Sequence, residues 1–89
     1  MAAKITFMRL ANQFIKDNPS LRVGIDSALK EISELPHVDG KTKFYYSVPP
    51  AVISLYKKDN LWVLYRLNED CTEISIWSIG KQGDKVTFR

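Results

Sequence analysis

The apolar residues of this chain change their spacing at Pro36, and that change limits the folds open to it. Upstream, Phe7, Leu10, Ala11, Phe14 and Ile15 recur at helical spacing, and Leu21, Ile25, Ala28, Leu29 and Ile32 do so again. Downstream, Phe44–Val48, Ala51–Lys57, Leu61–Asn68 and Thr72–Ile79 are short runs rich in β-branched and aromatic residues. A chain with its helices first and its strands afterwards reads as α+β, with two helices packed on one face of a small antiparallel sheet.

Asn18-Pro19 separates the helices. A residue before proline is pushed out of the helical region, and proline suits the first position of a new helix. Asn18 is therefore expected to cap a second helix that Pro36 ends, antiparallel to the first across a tight turn. Arg22, Asp26, Lys30 and Glu34 fill its polar face, with Asp26 and Lys30 as a supporting i,i+4 pair. Lys4-Ile5-Thr6-Phe7 reads either as a short strand or as the first turn of the first helix. His37 to Lys43 reads as a loop, and Asp59-Asn60 and Glu69-Asp70 as hairpin turns. Gly80 and Gly83 are expected to break the last strand, with Lys85–Arg89 a short terminal one.

Alternation assigns the strand faces. Leu61, Val63, Tyr65 and Leu67 form the natural core face of their strand, and Ile74 with Ile76 that of the next. The opposite, helix-free face is expected to show Trp62, Leu64, Arg66, Ser75 and Trp77, with Ile79 on the same side. An apolar patch of that kind marks a contact surface, unless a loop or the C-terminal segment covers it.

Composition narrows the function classes. The chain has 89 residues, enough for one domain spanning 1–89, and its 45% hydrophobic content argues against intrinsic disorder. The longest stretch without a charge, Phe44 to Tyr56, contains Pro49-Pro50 and is too short to span a membrane. The N-terminus lacks an apolar segment of signal-peptide length, so a cytoplasmic protein is expected. The lone Cys71 excludes an internal disulfide and a Cys-type zinc site; no metal and no cofactor are expected. Thirteen Lys+Arg against ten Asp+Glu give a net charge of +3. Seven bases and five acids precede Phe44, and six and five come after, so there is neither a basic nor an acidic tail.

Enzyme signatures are sparse: there is no Gly-rich phosphate loop, no paired metal ligands and no nucleophile elbow. His37 reads as a solvated loop histidine and Cys71, among acidic neighbours, as a bystander. Arg66 between Trp62 and Trp77 combines a phosphate-binding cation with stacking aromatics, the pair of features that single-stranded RNA needs. A competing reading pairs Arg66 with Glu73 across neighbouring strands.

The stretch Leu61-Trp62-Val63-Leu64-Tyr65-Arg66-Leu67, an acidic turn at Glu69-Asp70, and Ile74-Ser75-Ile76-Trp77-Ser78-Ile79-Gly80-Lys81 resemble the RelE/ParE superfamily of bacterial toxins. Leu29 to Pro36 is similar to that family's second helix and its closing proline. The resemblance covers most of the chain and implies a β-α-α-β-β-β order, which favours the strand reading of residues 4–7. It implies the toxin of a toxin–antitoxin module, neutralised by a cognate antitoxin, that inhibits growth by ribosome-dependent mRNA cleavage or by binding DNA gyrase.

The family's ribonucleases carry a basic cluster on the open sheet face and often a C-terminal tyrosine. At the matching positions this chain has Ile53 and Leu55, then Trp62, then Gln82, with Phe88 in place of the tyrosine. Neither an indole nor a phenyl ring supplies the charge or the proton that a phosphorane requires. Arg66, Lys57, Lys81 and Lys85 remain as candidates to stabilise phosphate charge, with His37 a distant base. Trp62, Trp77, Leu64, Arg66 and Ser75 are the candidate binding residues, with an antitoxin, the ribosome and its mRNA, or gyrase as partners. The alternative is a non-catalytic protein-binding module on the same scaffold, such as an inhibitor or a phage-encoded host-takeover factor.

Overall fold

The computed structural model describes residues 4–35, 37, 39–45, 53–58, 60–68 and 72–84. The elements are β1 (Lys4–Phe7), α1 (Arg9–Asp17), a 3₁₀ turn (Pro19–Leu21), α2 (Arg22–Glu34), β2 (Lys43–Tyr45), β3 (Ser54–Lys58), β4 (Leu61–Leu67) and β5 (Glu73–Lys81). The sheet is ordered β1-β5-β4-β3-β2. β2 to β5 form an antiparallel meander, and β1 lies parallel to β5, so the sheet is mixed rather than purely antiparallel. Residues 4–7 are thus a strand, tied in by the Lys4 N–H to Thr72 O (2.9 Å) and the Met8 N–H to Ile76 O (2.8 Å).

Asn18 works differently from the sequence expectation. Its side-chain amide donates to Phe14 O at 2.9 Å, closing the end of α1, and it makes no side-chain cap on the 3₁₀ turn. Pro19 opens that turn, and α2 begins only at Arg22. Asp26 pairs with Arg22 at 3.0 Å rather than with Lys30. α2 ends at Glu34, and Leu35 leaves the helical region at φ −135°. The expected hairpin dipeptide Glu69-Asp70, Cys71 and the segment 85–89 lie outside the described residues, as do Pro36, Asp59 and the beginning of the predicted run 51–57.

The helices cover one face. Ala11 of α1 and Ile25, Ala28, Leu29 and Ile32 of α2 pack with Tyr56, Leu61, Val63, Tyr65, Ile74, Ile76 and Ile79 of the sheet. Burying side chains of this size stabilises by about 1.5–3 kcal/mol each before the entropy of ordering is counted. Burial also pushes the Tyr65 phenol up to about 12, against a hydrogen bond to Ser54 that lowers it.

Ile79 belongs to this core, not to the helix-free face. Tyr65 pairs with Ile76 but Leu64 pairs with Ser78, so Trp77 is an extra residue, a β-bulge that exchanges the faces of everything after it. Gly80 does not break β5 either: it pairs with Trp62, whose ring lies on it. The turn comes later, at Gly83, where φ is +96°.

Candidate functional site on the helix-free face

The expected open apolar patch is a second small core. Trp62 is 5% exposed and Leu64 fully buried, packed with Ile53 and flanked by the half-buried Leu55 and Trp77. Strand pairing sets its neighbours in three places. Leu55 stands opposite Leu64, Lys57 opposite Trp62, and the missing side chain of Gly80 admits the indole. A Cβ at Gly80 would stand 2.2 Å from Trp62 Cζ2. The indole Nε1 is buried without a hydrogen-bond partner. A cleft of about 110 Å³ lies beside the ring, lined by Leu55, Lys57, Gln82, Gly83 and Asp84.

The same face changes character towards the end of β4. Register places Thr6, Ser75 and Arg66 in one row across β1, β5 and β4. The next row is Lys4, Glu73 and Asn68, whose N–H bonds Glu73 O at 3.1 Å. Ile5 and Phe7 pack on the helix-side core, which leaves Lys4 and Thr6 on the helix-free side. Arg66, Leu67, Asn68, Glu73 and Ser75 line a basin of about 480 Å³.

Arg66 is exposed and, among the described residues, its guanidinium has no partner. The cross-strand pair with Glu73 does not form. Glu73 instead accepts the Thr6 hydroxyl at 3.0 Å, held there because β1 lies alongside β5. Asn68 is committed to the β4–β5 connection: its Oδ1 accepts the N–H groups of Thr72 (2.9 Å) and Glu73 (3.0 Å), and its amide donates to Thr72 Oγ1 (3.2 Å).

Among the described residues the candidate cations do not converge. Lys57 is on the helix-free face, but its partner Trp62 is four residues from Arg66 along β4, roughly 13 Å at the strand rise. Lys81 stands opposite Leu61 and so shares the helix-side alignment. Lys85 lies outside the described residues, and His37 is an exposed loop residue. Of the candidate binding residues, Ser75 and Arg66 share the basin, Trp77 borders the small core, and Trp62 and Leu64 are interior.

Sequence reasoning missed Lys4 and Thr6, and treated Glu73 only as an ion-pair partner. Alternation in Lys4-Ile5-Thr6-Phe7 carried the face, but only pairing with β5 sets Lys4 beside Glu73 and Thr6 beside Ser75, two residues that line the basin. It also missed a polar cluster on the helix side. Tyr56 donates its hydroxyl to Glu31, Lys58 bonds the same carboxylate at 3.0 Å, and together they hold Glu31 below the usual carboxylate range. Lys43, only 3% exposed, lies 5.7 Å above the Tyr56 ring and 3.7 Å from Asp39. Asp39 is itself held well below its ordinary value by the backbone N–H groups of Lys41, Lys43 and Thr42. These groups hold β2 and α2 to β3. Among the described residues no group of His, Cys, Asp and Glu is arranged to hold a metal ion, and no helix is long and apolar enough to cross a membrane.

No family model matches the sequence, and no curated protein matches it. Solved structures do. A chain of the toxin–antitoxin complex RelBE2 from Mycobacterium tuberculosis is similar with a TM-score of 0.72 and 14% identity, covering 91% of this chain and 99% of that one. Toxin RelE of E. coli, solved in the free state as an arginine-to-alanine double mutant, is similar with a TM-score of 0.66 and 17% identity, covering 91% and 84%. At such identities the likeness is one of backbone. The protein has the fold of these chains.

Proposed function

We propose that the protein is the toxin of a toxin–antitoxin pair, acting in the cytoplasm and held inactive by an antitoxin. The observation that carries this reading is the near-complete overlap with a chain of the RelBE2 complex, in which the fold is accounted for almost end to end. The target is the ribosome with its mRNA, or DNA gyrase, and the contact residue is Arg66, the basin cation that has no partner among the described residues. Expression without an antitoxin should arrest growth, co-expression of a cognate antitoxin should relieve the arrest, and Arg66→Ala should weaken it. Harmless expression of the intact chain would sink the toxin reading.

A second reading, a non-catalytic binding module, is favoured by one observation. Lys57 and Arg66 stand far apart and Lys81 is aligned with the other face, so these three do not gather around one phosphate. Phosphorane stabilisation by a lone guanidinium is weak compared with a converging cluster. Incubating the purified chain with translating ribosomes, and separately with gyrase in a supercoiling assay, separates the cases. Cleaved mRNA identifies a ribonuclease; inhibited supercoiling with intact RNA identifies a binding toxin.

A further inference from the structure

The two edges of the sheet are finished differently. At β2 the Lys57 N–H bonds Thr42 O at 2.7 Å, so the backbone of Lys43 faces outward. The loop before it closes that position. Asp39 Oδ1 accepts the Lys43 N–H at 3.0 Å, and the N–H groups of Asp39 and Gly40 donate to Lys43 O at 3.2 and 3.0 Å. β1 has no such cover among the described residues. The N–H groups of Lys4 and Met8 point to β5, so in a parallel ladder the N–H and C=O groups of Ile5 and Phe7 point away from the sheet. Among the described residues these outward groups have no hydrogen-bond partner. α1, which follows directly, packs over β5.

An open strand edge is a template for another strand. The side chains around this edge are incompletely buried as well: Ile5, Phe7, Leu10 and Phe14 are half-buried, and Met8 is 46% exposed. The spacing of the free groups decides which strand fits. Antiparallel neighbours exchange both hydrogen bonds at every second pair. With Ile5 and Phe7 as the outward residues, a second β1 pairs Ile5 with Phe7 of the second copy, and Phe7 with its Ile5. That register sets Thr6 opposite Thr6 and Lys4 opposite Met8. Isoleucine against phenylalanine and threonine against threonine are both favourable cross-strand pairs. The charges are compatible too, because each Lys4 meets the exposed methionine and not the other lysine. Each copy offers the same patch, as a twofold interface requires.

We infer that the protein forms a twofold dimer through β1, joining two five-stranded sheets into one continuous sheet with the helices of both copies on the same face. Ile5 and Phe7 of both copies then lie on the helix side, where each already packs on its own core, and Thr6 lies on the helix-free side. The pairing consumes the edge that the chain leaves open and covers Met8. It uses neither the basin nor the Trp62 cluster, so it goes beyond the toxin reading and does not depend on it.

The test is sedimentation of the purified chain over a range of concentrations, with residue-resolved amide exchange at the two extremes. The mass should rise from 10.2 kDa towards twice that value, and a mass of 10.2 kDa at every concentration up to about 1 mM overturns the inference. Thr6→Lys sets two ammonium groups opposite each other and should weaken the dimer by about fivefold or more. Thr6→Val loses the hydroxyl bond to Glu73 but keeps a β-branched pair, and should dimerise like the intact chain. Circular dichroism checks that both variants are folded. Undiminished dimerisation of folded Thr6→Lys overturns the inference, as does equal loss in both folded variants. If Thr6→Lys does not fold, amide exchange in the intact chain decides. The Ile5 and Phe7 amides should slow about tenfold where dimer exceeds monomer tenfold, while Lys4, already bonded to Thr72 O, should change little. A doubled mass with unchanged exchange at Ile5 and Phe7 overturns the inference, because the interface then lies elsewhere.

Discussion

The two halves of the helix-free face share β4 and β5 and serve opposite ends. Over β3 and the start of β4, Ile53, Leu55, Trp62, Leu64 and Trp77 close on one another; over β1 and the end of β4, Lys4, Thr6, Arg66, Glu73 and Ser75 stay accessible to solvent. β4 runs through both: Trp62, Leu64 and Arg66 alternate along one side of a single strand, yet the first two are interior and the third is exposed. The apolar half gives the uncovered side of the sheet a core of its own. The polar half is then free to carry unpaired charge, because the rigidity it needs is provided two residues away.

If that division holds, substitutions in the apolar half should act on stability and those in the polar half on binding. Leu64→Ala has the largest expected effect, a loss of about 2–5 kcal/mol in urea denaturation, since the side chain is fully buried and its cavity has rigid walls. Gly80→Ala comes next. Its new methyl would meet the Trp62 ring at 2.2 Å, and overpacking of a fixed aromatic costs about 2–3 kcal/mol. Adding Trp62→Leu to that variant should recover about 1 kcal/mol or more relative to the sum of the single changes, a coupling that a double-mutant cycle measures directly. Additive effects would mean that the ring does not rest on Gly80.

The polar groups sharpen the contrast with smaller effects. Glu31 is held below its ordinary value of 4.5 first by the Tyr56 hydroxyl and then by Lys58. A lowered carboxylate contributes stability above its unfolded value, and loses it as the pH falls through its folded value. The carboxylate is 39% exposed and solvent-screened, so Glu31→Gln should cost under about 1 kcal/mol near neutral pH, with the two proteins converging below pH 4.5. Tryptophan fluorescence in urea at a series of pH values reads this, and a constant difference at every pH would show that the Glu31 charge adds nothing to stability. Arg66→Ala has the smallest expected effect on stability, within about 0.5 kcal/mol, because among the described residues its guanidinium has no partner. A loss like that of Leu64→Ala would make the polar half structural.

Much of the candidate site was legible and some was hidden, for reasons that differ residue by residue. Arg66 and Ser75 were readable because each sits at a regular alternating position, Arg66 on the strand without the extra residue and Ser75 ahead of it on β5. Ile79 was not, because the bulge at Trp77 shifts the alternation by one, and a bulge of ordinary strand residues leaves no local mark. Trp62 and Leu64 were placed on the right side of the sheet, but their burial depends on Ile53, Leu55 and Gly80, brought together only by pairing of β3, β4 and β5.

The sequence by itself determined the helices, the meander and the inward side of β4, since those depend on spacing within one segment. Two helical repeats ahead of a set of alternating runs admit little else. Tertiary structure decided the rest. Whether Lys4–Phe7 is a strand or a helical turn is nearly balanced within four residues, and the balance is tipped by β5, some seventy positions away. The same pairing turns Thr6 onto Glu73 and frees Arg66 of the partner that its strand position suggests. Local spacing fixes which way a side chain points; only the packed sheet fixes what it meets there.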